Sequence, residues 1–142
     1  MSRAAEREAA VVALYQHDIT GRPLSVTLGA RPAPFAAALA RGAAENAPEL
    51  DELLGRHAHG WSVARIHPLE RSIMRVALLE ILHPESLPGE LPIPAEGAIE
   101  EAVKSAKKFC GAEAPSFING VLDAALREVR ENAPVGQQSA EQ

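Results

Sequence analysis

Apolar positions recur with helical spacing along most of the chain. Ala5, Ala9 and Val12, with Leu14 or Tyr15, mark one face of a first helix over positions 4–18. "FAAALARGAAENA" reads as a helix of small residues that can approach a neighbour closely and that Pro48 ends. "PELDELLGRHAHGW" starts afresh, with proline in first place and acids in the first turn. It offers Leu50, Leu53 and Leu54 to a core and closes near Gly60-Trp61. Between 67 and 84, Leu69, Ile73, Val76 and Ala77 line one face, and Leu78, Leu79, Ile81 and Leu82 broaden it almost all round. A helix that apolar predicts a central position. Residues 95–109 turn Ala98 or Ile99, Ala102, Val103 and Ala106 inward. A last helix carries Ile118, Val121, Leu122, Ala125, Leu126 and Val129 at i, i+3, i+4, i+7, i+8 and i+11.

The breaks between these segments are rich in proline and glycine: a long connection over 19–34, and the loop "ESLPGELPIP". No run alternates as a strand would, and no repeat or βαβ rhythm is present. The expected fold is all-α, six or seven helices in two small bundles with a seam near 60–67. One domain is expected over 1–132, followed by a polar, disordered tail over 133–142. Composition agrees: hydrophobic residues make up 46% of the 142, but aromatic residues only 4%. Such a chain packs small side chains between helices more readily than it builds sheets.

One local conflict stands out. Asn119-Gly120 alone is a hairpin signal, yet it falls within the last helical stripe. Ser116, following Pro115, supplies the oxygen that a helix start uses, which places Phe117, Asn119 and Gly120 in the opening turn. Glycine there runs against helix propensity. Either a neighbouring helix or an outside ligand must come close enough to need the missing Cβ.

Catalytic and metal chemistry find little support. Cys110 is the single cysteine, which excludes an internal disulfide and suits a reducing cytosol, and no base stands near it in sequence. His57 and His59 are about 200° apart on a helix and cannot share a metal. There is no phosphate loop and no nucleophile elbow. The N-terminus, with acidic residues among its basic ones and no cleavage site, does not read as a signal peptide, and no apolar run approaches a membrane span. A soluble, cytoplasmic, non-enzymatic protein with no cofactor and no membrane partner is expected. The net charge of −5 argues against coating nucleic acid by bulk electrostatics, so a nucleic-acid role needs a local basic face and a partner.

Such a face is present in outline. Lys104, Lys107 and Lys108 recur at i, i+3 and i+4 and form a ridge opposite the Ala/Val stripe. The ridge leads to Phe109 and, a short loop later, to Phe117 and Asn119. Cations for phosphates, an aromatic ring for a base and an amide for its edge are what a single-stranded RNA site requires. Lysines near a helix C-terminus also suit the dipole, and Phe117 has core as its alternative. Arg3 and Arg7, one turn apart, add charge to the first helix.

The stretches "AAVVALYQHD", "ERSIMRVALLEIL" and "EEAVKSAKKFCGAEAPSFINGVLDAAL" resemble the NusB family of bacterial transcription antitermination factors, in order and spacing, over roughly the first 130 positions. The resemblance implies an all-helical, non-catalytic protein. It would pair with NusE, a ribosomal protein, bind boxA RNA, and join RNA polymerase with other Nus factors at ribosomal RNA operons. It also implies that Tyr15 and Glu70 lie at the RNA and NusE surface, and that Phe117 and Asn119 belong to the block that meets RNA. Two departures from the family pattern accompany it. Only Arg3 and Arg7 stand where some members carry a dense arginine run, and the "GAEAPSF" loop is one residue shorter, with Ala114 at an acidic position. The competing expectations are a helical interaction module or homodimer without RNA affinity, and the positioning domain of an RNA methyltransferase. No cofactor-binding β/α segment follows position 132, which speaks against the last.

Overall fold

The computed structural model describes residues 2–89 and 92–133; the tail expected from 133 onward falls, after Ala133, outside the described residues. Among these residues there are seven α-helices, two short 3-10 turns and no strand. The helices are α1 (Arg3–Thr20), α2 (Leu24–Thr27), α3 (Pro34–Glu45), α4 (Ala47–His57), α5 (Pro68–Leu82), α6 (Ala95–Phe109) and α7 (Ala114–Glu131). No helix is long and apolar enough to cross a membrane.

Their ends follow local chemistry. Ser2 caps α1 by accepting from the Ala5 N–H, and Gly21 closes it in the left-handed region at φ 74°. The expected connection over 19–34 contains the single turn α2. Pro48 does not end α3 but lies in the first turn of α4, where a missing N–H costs nothing. The break falls two residues earlier, at Asn46, which closes α3 and opens α4 with no loop between them and donates its side-chain amide to the Gly42 carbonyl.

α5 is central, as its all-round apolar pattern predicts: every residue from Ser72 to Glu80 is buried. It packs against α1, α3, α4, α6 and α7. Gly42 on α3 makes one of these contacts possible, because a Cβ there would lie 2.6 Å from Leu79 Cδ2. Ile118, Leu122 and Ala125 of α7 and Ala106 of α6 complete the core at zero exposure.

The inward face of α1 differs from the expected one. Arg7, Ala10, Val11, Ala13 and Leu14 are buried, whereas Ala9 and Val12 are exposed. Nearly every residue from Ala9 to Leu14 is apolar, so periodicity alone does not fix the face. Val11 and Leu14 turn inward, on the same face as Arg7. Arg7 meets Glu80 of α5 in a buried two-pronged ion pair, Nε to Oε1 at 2.7 Å and Nη2 to Oε2 at 3.0 Å. Its guanidinium also lies 5.4 Å from the Phe35 ring.

Two more arginines of α5 anchor the chain around the 60–67 segment. Arg71 pairs with Asp18 at the end of α1 and donates to the Val63 carbonyl at 3.0 Å. Arg75 grips Asp51 of α4 through two 2.7 Å bonds. The 3-10 turn Val63–Arg65 is therefore held to α5 by a side chain as well as by its own backbone.

Candidate nucleic-acid interface

The corner between α6 and α7 organises the candidate residues. α6 ends at Phe109, and Cys110, Gly111, Ala112 and Glu113 lead into α7. α7 begins at Ala114, three residues earlier than the Ser116 cap predicts, with Pro115 in its first turn and no side-chain cap from Glu113. Phe117 is therefore already inside the helix, and its N–H donates to the Glu113 carbonyl at 3.2 Å. That N–H is therefore already paired and not free for a ligand. Asn119 and Gly120 lie on the solvent face, and a Cβ built on Gly120 meets nothing within 4 Å. Helix packing does not explain this glycine.

Two depressions flank the corner. The first, about 490 Å³, runs along α1 past Ala5, Glu8, Ala9 and Val12 and is bounded by Arg31, Pro32 and Phe109. Phe109 and Val12 are 41% and 40% exposed, high for apolar side chains that face one groove. The second, about 300 Å³, lies on the other side between Trp61, Arg65, Ile66, His67, Glu70, Glu113, Ala114 and Phe117. The two phenylalanines of the sequence motif thus open onto different depressions. Phe117 is half-buried, packing against the core while lining the second of them.

The lysine ridge is exposed as its spacing predicts, but much of its charge is answered. Lys108 reaches Glu8 of α1 at 3.0 Å and lies 5.1 Å from the centre of the Phe109 ring. Lys104 lies 3.6 Å from Glu101. Lys107 is exposed. The Lys108–Glu8 pair brings the ridge beside the outer face of α1, so lysines, Phe109 and the first groove form one surface.

The α1 arginines divide. Arg3 is exposed, pairs with Glu6 at 3.0 Å and stacks 4.0 Å from the Phe35 ring. Arg7, at 8% exposure and fully engaged by Glu80, has no surface to offer RNA, which corrects its expected role. Tyr15 and Glu70 are half-buried, on α1 and in the first turn of α5. Cys110 is half-buried, and burial together with the negative charge of Glu70 pushes its thiol above the ordinary cysteine value. That is the opposite of an activated nucleophile. Arg31 and Trp61 were not singled out by sequence reasoning. A lone tryptophan next to a glycine was a usable signal for the second, and nothing local marked the first.

Comparison with known proteins agrees with this architecture. The sequence model of the NusB family matches residues 4–127. A transcription antitermination protein NusB from Rubrobacter xylanophilus is 39% identical over 128 residues, covering 86% of this chain and 88% of its own. Its counterpart from Symbiobacterium thermophilum is 35% identical, with 92% of each chain covered. Among solved structures, Thermotoga maritima NusB matches with a TM-score of 0.77 at 28% identity, over 90% of this chain and 92% of that one. A crystal structure of antitermination factors NusB and NusE in complex with dsRNA matches in fold, with a TM-score of 0.71 at 22% identity, over 90% of this chain and 99% of that one. The helical architecture, the family match along nearly the whole described chain and the similarity to these non-catalytic factors agree: the chain belongs to the NusB family.

Proposed function

We propose that this protein is a transcription antitermination factor that binds boxA-type single-stranded RNA together with a NusE partner and joins the RNA polymerase complex at ribosomal RNA operons. The observation that carries the reading is the surface formed by Lys104, Lys107, Lys108, Phe109 and the α1 groove, continued around the corner by Asn119 and Gly120. It combines exposed cations, a 41% exposed aromatic ring and an exposed amide, the groups that hold phosphates, stack a base and bond its edge. The complex of related factors with NusE and RNA supports the choice of partners.

Charge compensation sets how the surface works. Glu8 and Glu101 already answer two of the three lysines, and Arg7 is withdrawn into the core. Few cations are left to displace counterions, so the protein alone binds RNA weakly and the partner supplies the remaining contacts.

The test is fluorescence anisotropy of a labelled boxA-type RNA, titrated with the protein alone and with equimolar NusE, at two salt concentrations. Salt-sensitive binding that is tight only with NusE is expected, and Asn119→Ala or Phe109→Ala should weaken it with helical CD unchanged. A base-stacking loss at Phe109 is worth on the order of 1–3 kcal/mol. Absence of RNA binding with and without NusE, from a folded protein, would overturn the reading.

A further inference from the structure

The groove along α1 holds one charge that no other group answers. Arg31 is exposed and forms no ion pair among the described residues. Other arginines are held by carboxylates: Arg7 by Glu80, Arg71 by Asp18, Arg75 by Asp51 and Arg56 by Glu128. Local sequence explains the difference, since positions 19–44 carry Arg22, Arg31 and Arg41 and no acidic residue. The stretch does not set Arg31 apart from the other two; its place on the groove does. Arg65, also without an ion pair, shares the other depression with Glu70 and Glu113, so its charge is opposed there.

The turn that carries Arg31 is built to hold it in place. Leu28 and Ala33, on either side, pack against the core. Gly29 turns the chain at φ 85°, and its N–H donates to the Val26 carbonyl at 3.1 Å. Pro32 steers the backbone of Arg31 toward extended conformations. A cation on so fixed a segment loses little backbone freedom when it binds. The only other charged side chain lining the groove is Glu8, which Lys108 already answers, so the lining is left with the charge of Arg31.

We propose that Arg31 binds a phosphate of the RNA strand and so draws the strand across α1, with a base seated in the groove against Phe109. The guanidinium presents two parallel N–H donors to the phosphate oxygens. The groove is lined by Ala5, Ala9, Val12 and Ala13 and, at about 490 Å³, has the size of a small-ligand site. Lys108, 5.1 Å from the Phe109 ring, supplies a second cation at that end. A nucleic-acid strand alternates flat bases with anions, which matches a surface that presents ring and cations together. An acidic protein segment carries the anions without that alternation. The inference rests on the reading that this chain binds single-stranded RNA, and it adds a contact from the connection between α2 and α3.

The test is anisotropy of a labelled boxA-type RNA with the protein and equimolar NusE, read over a series of salt concentrations. Arg31→Gln should flatten the slope of log affinity against log salt by about 0.7, the share of one phosphate on a single strand. Arg31→Lys keeps the charge and should keep the slope. Arg41→Gln removes an exposed arginine outside the groove and should leave the slope as in the wild type. Helical CD should be unchanged in all three variants. An unchanged slope in Arg31→Gln overturns the proposal. Equal flattening in Arg41→Gln overturns it too, by assigning the effect to diffuse charge. So does a glutamate-rich peptide that binds the wild type more tightly than the RNA and loses that affinity in Arg31→Gln, which would give the groove to an acidic protein segment. If the RNA binds neither with NusE nor without it, the functional reading fails separately. Oligouridine at low salt then decides Arg31 through the arginine side-chain N–H resonances of isotope-labelled protein. A shift of the resonance that is missing in Arg31→Gln supports the inference, and silence overturns it.

Discussion

Arg7→Ala separates a structural arginine from an RNA contact. In the folded protein Arg7 and Glu80 are 8% and 7% exposed, and both prongs of the guanidinium are bonded to the carboxylate. Removing the arginine leaves Glu80 buried with no counter-charge, a change that costs about 3–5 kcal/mol. The loss is a large share of the roughly 5–15 kcal/mol that holds a domain of this kind together. Removing both charges is different: Arg7→Leu with Glu80→Leu exchanges two desolvated ions for apolar volume and should recover most of the stability. Urea unfolding at pH 7, followed by far-UV CD, measures wild type, Arg7→Leu, Glu80→Leu and their double variant, with Arg7→Ala alongside. A coupling of about 2 kcal/mol or more between the positions is expected, since residues in direct contact depart strongly from additivity. An Arg7→Ala protein within 1 kcal/mol of wild type that has lost RNA affinity would refute the argument and return Arg7 to the binding surface.

Gly120→Ala should raise stability by about 0.5–1 kcal/mol, because the new Cβ meets nothing and a helix interior prefers alanine. The same variant should weaken RNA binding in the anisotropy assay, and unchanged affinity would remove Gly120 from the interface. Gly42→Ala should have the opposite sign, since its Cβ would press on the buried Leu79 at 2.6 Å; a loss of about 1–3 kcal/mol in urea unfolding is expected. Glu128 carries a pH dependence: hydrogen bonding from Arg56, and then from His57, holds its carboxyl at about 2, below the ordinary 4.5. Its contribution is present above pH 4.5 and is lost as pH falls toward 2, so Glu128→Gln should flatten the decline of Tm across that interval.

The helices were legible because their apolar stripes are long and periodic; α6, at Ala95–Phe109, coincides with the expected segment. α1 was legible as a helix but not in its rotation. Its small residues give nearly equal stripes on two sides, and the side that is buried also brings Arg7 to Glu80, 73 positions away, a pairing no local pattern displays. The start of α7 was displaced for a related reason, because Pro115 fits a first turn better than Ser116 fits a cap once Gly111 and Ala112 make the corner. The lysine ridge could be read from its spacing, whereas its partial neutralisation by Glu8 could not. The Trp61 pocket joins positions 61–70 to positions 113–117 and was beyond either stretch alone.

The position of α5 has a kinetic consequence. Because one helix supplies the inner wall for α1, α3, α4, α6 and α7, neither half of the chain owns a complete core. Opening one half exposes the buried run from Ser72 to Glu80 and strips the other half of its support. Amide protons of that run should therefore exchange with solvent only through whole-molecule opening, while those near Trp61 and the α6–α7 corner exchange through small local excursions. The proposed RNA surface lies on α1, α6 and the α6–α7 corner, outside that buried run of α5.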